Sequence, residues 1–197
     1  MSDIINLPAQ ASELPRAAKT PSLLQSIRDD IVCVRHRDPA ARGEFETLLI
    51  YPGVHALIWH RVAHRLWRAD FRFGARLVSW LGRFLTNIDI HPGAQIGERF
   101  FIDHGSGVVI GQTAIIGRNV RIYQAVTLGA KRFEADPETG ALRKNYPRHP
   151  IVEDDVVIYA GATILGRVVI GKGSSIGGNV WLTHSVPPGS HITQAQV

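Results

Sequence analysis

The chain has 197 residues, 45% of them hydrophobic and 20% charged, which supports one sizeable core or two small ones and speaks against a disordered polymer. Its 22 basic and 17 acidic residues leave a net charge of +5, but the Lys and Arg are scattered and no nucleic-acid motif accompanies them. The reading is no nucleic acid and an anionic small ligand. The single Cys33 permits no internal disulfide. No stretch approaches the roughly 18 apolar residues that span a bilayer, so no membrane and a cytoplasmic location are expected.

Residues 1–21 are polar, carry Pro8, Pro15 and Pro21, and predict a flexible leader. From Ser22, SLLQSIRDDIVCVRHRD has helical spacing, with Ser22 as N-cap and Pro39 as stop. PGVHALIWHRVAHRLWRAD and FGARLVSWLGRFLTN repeat the pattern, each bounded by Pro or Gly and apolar at three and four spacing. Residues 22–87 therefore read as an α-helical domain.

After Asn87 the period changes to six. IHPGAQ, IGERFF and IDHGSG open the series, and after two extra residues IGQTAI, IGRNVR and IYQAVT follow from Ile110. VEDDVV, IYAGAT, ILGRVV, IGKGSS, IGGNVW and LTHSVP then run from Val152 to Pro187 without a slip. An aliphatic at the first position, a small or aliphatic residue four further on, and Gly, Asn or Asp at corners fit three short strands per coil, each coil stacking on the last. The fold class is α+β: an N-terminal α-helical region, then a parallel β-helix of hexapeptide repeats over 88–189, with 190–197 as a tail. GAKRFEADPETGALRKNYPRHPI interrupts the repeat and predicts one projecting loop at 130–150, a place where rigid coils hold ligand-facing side chains.

Hexapeptide β-helices mostly serve acyl transfer, which needs a general base. Histidine suits it because its pKa lies near operating pH. His104 sits where two surplus residues break the register. Asp89, fifteen residues earlier, lies nearly one coil back. Adjacent strands are about 4.8 Å apart, so its carboxylate could accept the imidazole N–H and orient it. His60 and His64 stand one helical turn apart, but no Glu completes a zinc-hydrolase motif, and no metal is expected. His91 and His184 read as corner residues.

RDPAA at Arg37–Ala41, PGVHALIWHRVAHRLW, DIHPGAQIG, IDHGSGVVIG, VTLGAK and RHP at Arg148–Pro150 together resemble the bacterial serine acetyltransferases. The resemblance covers residues 22–189. It implies a left-handed β-helix and transfer of acetyl from acetyl-CoA to the L-serine hydroxyl, giving O-acetyl-L-serine and CoA on the way to cysteine. It makes His104 the general base and Asp89 its partner. Asp38 and Asp103 would hold the substrate ammonium, Arg148 would clamp its carboxylate, and His149 would contact the reacting centre. For acetyl-CoA, bound in a groove between subunits, Gly129, Ala160, Gly178 and Lys172 are the candidates by position. The implied assembly is a homotrimer, with a dimer of trimers as the alternative.

Three departures stand out. Gln112 replaces the Glu of the family's GET triplet, the loop is longer and more charged, and GSHITQAQV stands where AGVPA is usual. The first two keep a second acceptor, homoserine or a sugar, in view. The chain stops at Val197 without the C-terminal Ile of members that dock into O-acetylserine sulfhydrylase, so that complex is not expected.

Overall fold

The computed structural model describes residues 22–196; the leader read at 1–21 lies outside the described residues. Four helices come first: α1 (Leu23–Arg37), α2 (Glu44–Ile50), α3 (Pro52–Arg68) and α4 (Arg72–Thr86). Ser22 starts α1 by accepting the N–H of Gln25 at 3.2 Å, and Arg35, His36 and Arg37 fill its last turn, where carbonyls lack helical donors. Pro52 opens α3 where no backbone donor is needed. Asn87 closes α4 in the left-handed region at φ 55°. α2 has no counterpart among the helices expected from spacing, because its seven residues are too few to show a period.

Fourteen strands of two or three residues follow. They stack in three parallel sheets, one per face of the coil. The first holds β1 (Asp89–Ile90), β4 (Val109–Ile110), β7 (Thr127–Gly129), β10 (Thr163–Leu165) and β13 (Trp181–Leu182). The second holds β2 (Gln95–Ile96), β5 (Ile115–Ile116), β8 (Ile151–Val152) and β11 (Val169–Ile170). The third holds β3 (Phe101–Ile102), β6 (Arg121–Ile122), β9 (Val157–Ile158), β12 (Ser175–Ile176) and β14 (His191–Ile192). Because β14 pairs with β12, the stack runs past 189 into the stretch read as a tail.

Register shows where the period holds. Val109 pairs with Thr127 and Ile151 with Val169, eighteen residues apart. In the first coil Asp89 pairs with Val109 and Phe101 with Arg121, twenty apart, the surplus lying between β3 and β4. Thr127 pairs with Thr163 and Ile115 with Ile151, thirty-six apart, so one coil's worth of residues leaves the stack between β7 and β8.

The core is the hexad pattern turned inward. Ile102, Ile110, Ile116, Ile122 and Leu128, drawn from all three sheets, are buried inside the coil, with Ala114, Val120 and Val126 from the fifth hexad position buried as well. Each large aliphatic contributes about 1.5–3 kcal/mol on burial. Arg99, Asn119, Asp155 and Gly173, one per coil, share a left-handed corner, and Asn119 donates to the Asp155 carboxylate at 2.5 Å. The helices dock on the first coil through Arg61 of α3, which faces the buried Asp30 of α1 and donates to the carbonyls of Ile96 at 2.7 Å and Gly97 at 2.9 Å. No helix among the described residues is long and apolar enough to cross a membrane.

Candidate active site

The turn entering β4 carries His104. It absorbs its two surplus residues by placing His104, Gly105 and Gly107 at φ 58°, 81° and 75°. Gly105 is needed there on a second count, since a Cβ would come within 2.5 Å of Ile88. The imidazole stands 74% exposed, with its Nε2 4.0 Å from the carboxylate of the neighbouring Asp103. Asp38, just past α1, accepts the Tyr51 hydroxyl at 2.8 Å and the Ala40 N–H at 2.8 Å. Burial pushes the Tyr51 hydroxyl up to about 12, and the hydrogen bond to Asp38 and the charge on Asp103 act the same way. Asp38, Tyr51, Asp103 and His104 are thus one acidic cluster beside one imidazole, suited to an ammonium and a hydroxyl. Tyr51 went unremarked in the sequence because its bond to Asp38 spans a loop and a short helix.

The turn leaving β4 borders a second feature, a cavity of about 320 Å³ against α4, lined by Arg83, Asp89, His91, Gln112, Arg148 and His149 among others. Arg83 holds the Asp89 carboxylate at 3.2 Å. Gln112 accepts from the Arg148 guanidinium at 2.9 Å, and that guanidinium lies 5.5 Å from the Tyr146 ring. His149 is buried, and burial followed by the charges of Arg148 and Arg167 lowers its pKa to about 4. His91 accepts the Gly93 N–H on Nδ1 at 2.9 Å and meets Trp67 edge-on at 5.0 Å. Burial, then Arg76, His149 and Arg148, lower its pKa to about 4 as well. Near neutral pH both imidazoles are uncharged, and the arginines face the single carboxylate of Asp89. The cavity therefore carries more positive than negative charge, which suits an anionic group, and His91 is among the residues that line it.

The acidic cluster and the cavity lie at the two ends of β4. Within one chain the nearest carboxylate recorded for His104 is Asp103, while Asp89 is paired with Arg83. Of the positions considered for acetyl-CoA, Ala160 and Gly178 are neighbours: a Cβ on Gly178 would meet the Ala160 carbonyl at 3.3 Å, and that carbonyl accepts the Asn179 N–H at 2.9 Å. Gly129 ends β7 at another corner, and Lys172 sits at a third with its Nζ 3.6 Å from Asp155. His64 of the helical pair bonds through Nδ1 to the Pro92 carbonyl at 2.8 Å, and the His60 and His64 rings lie 5.6 Å apart.

Comparison with known proteins adds to this geometry. Residues 149–184 match the bacterial transferase hexapeptide model (six repeats), and residues 11–58 match the serine acetyltransferase N-terminal model. The chain is 55% identical over 193 residues to a serine acetyltransferase (plasmid) of Synechococcus elongatus, covering 97% of this chain and 60% of the relative. It is 48% identical to the serine acetyltransferase of Bacillus subtilis, covering 84% of this chain and 72% of that protein. Among solved structures, serine acetyltransferase 1 of Entamoeba histolytica in complex with L-cysteine superposes with a TM-score of 0.82 at 42% identity, over 89% of this chain and 64% of that one. The chain spans less than two thirds of the Synechococcus relative's length. With a helical layer, an eighteen-residue parallel coil and the DP, DIHP, DHGSG and RHP residues in order, it belongs to the serine acetyltransferase family.

Proposed function

We propose that the chain transfers the acetyl group of acetyl-CoA to the hydroxyl of L-serine, giving O-acetyl-L-serine and CoA, as a step toward cysteine. The observation that carries this reading is the pairing of an acidic cluster at His104 with an arginine-lined cavity at His149, each bordering β4. An amino acid presents both charges, and a site with both signs rejects simple alcohols.

In this reading Asp38 and Asp103 take the ammonium and Arg148 the carboxylate. His104 withdraws the hydroxyl proton as the oxygen attacks the thioester carbonyl, and the tetrahedral intermediate collapses to release CoA thiolate. Asp89 is the carboxylate that orients the His104 imidazole and stabilises its protonated form. A homotrimer, alone or paired as a dimer of trimers, would set the cavity of one copy beside the His104 cluster of the next. The pantetheine arm would lie in the same groove, with Gly129, Ala160, Gly178 and Lys172 as its candidate contacts. We read the coil as left-handed, residues 130–150 as a projecting loop beside this groove, and the enzyme as cytoplasmic.

Purified protein with acetyl-CoA should release thiol when L-serine is added, and absence of serine-dependent release would refute the proposal. A panel including homoserine and simple sugars fixes the acceptor: serine should lead in kcat/KM by about tenfold or more.

A further inference from the structure

Thr113 follows Gln112 on the turn leaving β4 and meets the Arg148–His149 pair at four points. Its Oγ1 accepts the backbone N–H of Arg148 at 2.9 Å and that of His149 at 3.1 Å. The same oxygen lies 2.8 Å from His149 Nδ1, and the Thr113 backbone N–H reaches that nitrogen at 3.1 Å. A threonine hydroxyl has one proton and two lone pairs. Both lone pairs are taken by backbone N–H groups, so the proton points to Nδ1. The Thr113 backbone N–H can only donate, and it points there too. Nδ1 is an acceptor, and a neutral imidazole with an accepting Nδ1 carries its proton on Nε2.

We propose that Thr113 is a positioning residue that locks His149 as the Nε2–H tautomer, making His149 a neutral hydrogen-bond donor to an anionic oxygen in the cavity. This rests on the reading of the cavity as part of an acetyl-transfer site.

The surroundings support the lock. Protonating Nδ1 would set an N–H against the Thr113 N–H, which cannot turn away as a hydroxyl can. Arg167 braces both residues by donating to the carbonyls of Thr113 at 2.8 Å and His149 at 3.1 Å. Gly111 leaves room on the opposite ring edge, where a Cβ would come within 2.0 Å of Cδ2 and 2.1 Å of Nε2. Burial, then the charges of Arg148 and Arg167, disfavour an imidazolium at His149, and the neighbouring His91 is itself held uncharged by burial. Roles then divide: His104 takes a proton, and His149 offers a hydrogen bond without gaining charge. Two anionic oxygens fit that donor, the substrate carboxylate and the tetrahedral oxyanion.

Nitrogen NMR of protein labelled with 15N-histidine tests the tautomer directly, with the His149 signals assigned by their loss in His149→Gln. At pH 7 the Nδ1 signal should be of the unprotonated type and the Nε2 signal of the protonated type. An Nδ1–H form, or a mixture of tautomers, in the wild type overturns the proposal. Thr113→Val should populate the second tautomer, and Thr113→Ser, which keeps the hydroxyl, should restore the wild-type spectrum. Thr113→Val should also weaken transfer by about ten- to hundredfold. A rise in KM for serine would identify the carboxylate as the acceptor of the bond, and a fall in kcat the oxyanion. No change in spectrum, KM or kcat would overturn the role of Thr113. The wild-type spectrum decides the tautomer even where Thr113→Val does not fold. Absence of any serine-dependent turnover would strike the acetyltransferase reading and leave the spectral result standing.

Discussion

The coils from Val152 onward and the first coil are built from the same hexads, yet only one of the two regions carries chemistry-bearing side chains in non-repeating positions. In the later coils each outward position recurs eighteen residues on without a change of register, as Thr163 and Trp181 do on one face. Such a surface sets its side chains in straight rows, whereas a base, a carboxylate pair and a guanidinium in fixed relation need turns that leave the rows. The first coil breaks the repeat with the surplus at His104, and the long gap after β7 breaks it again just before Arg148 and His149. A stack that is rigid through its core can carry irregular turns without losing register, because the ladders on either side of each turn remain paired.

The largest expected effect separates the two regions. His104→Ala should lower serine-dependent thiol release by about 10²–10⁴-fold. Its side chain is 74% exposed, so the melting temperature should stay near that of the wild type. A comparable loss of melting temperature would mean that the residue serves the fold instead. Ile158→Ala is the converse. Ile158 is fully buried in the regular stack, and its truncation should cost about 2–5 kcal/mol in urea unfolding while the rate per folded molecule stays the same. Arg148→Lys is subtler, since it keeps the charge and loses the planar fork that faces Gln112 and Tyr146. We expect KM for serine to rise by about tenfold with little change in kcat.

The stack was legible because burial enforces its period: Ile110, Ile116, Ile122 and Leu128 must all face inward, and a slip would expose them. The surplus at His104 was legible as a departure from that period. The handedness of the coil was not, since spacing alone says nothing about hand. His104 stood out at a break in the repeat, while Arg148 and His149, at the end of the long gap, were singled out through the resemblance that their RHP motif carries. Tyr51 and Thr113 could not, because each acts through one hydroxyl on a partner thirteen or more residues away, with no periodic mark. The role of His91 was hidden for another reason: a corner histidine and a cavity histidine share one sequence pattern, and only the packing of Trp67 and the Gly93 N–H tells them apart.

A pH dependence tests how the helical layer is fixed to the irregular first coil. Asp30 is almost wholly buried and faces Arg61, which also serves two carbonyls of that coil. Burial raises the Asp30 carboxyl to about 6 from 3.8, more than Arg61 lowers it. A carboxyl that binds its proton more tightly folded than unfolded contributes stability below pH 3.8 and loses that contribution as pH rises through about 6. Asp30→Asn keeps the shape and removes the titration. The stability of the wild type relative to Asp30→Asn should therefore decline between pH 4 and pH 6, by about 1.4 kcal/mol for each unit of the shift as an upper bound. Urea unfolding of both proteins across that range measures it. A difference that instead grows with pH would show that Arg61 outweighs burial, and that the helical layer is anchored to the first coil by a charged pair.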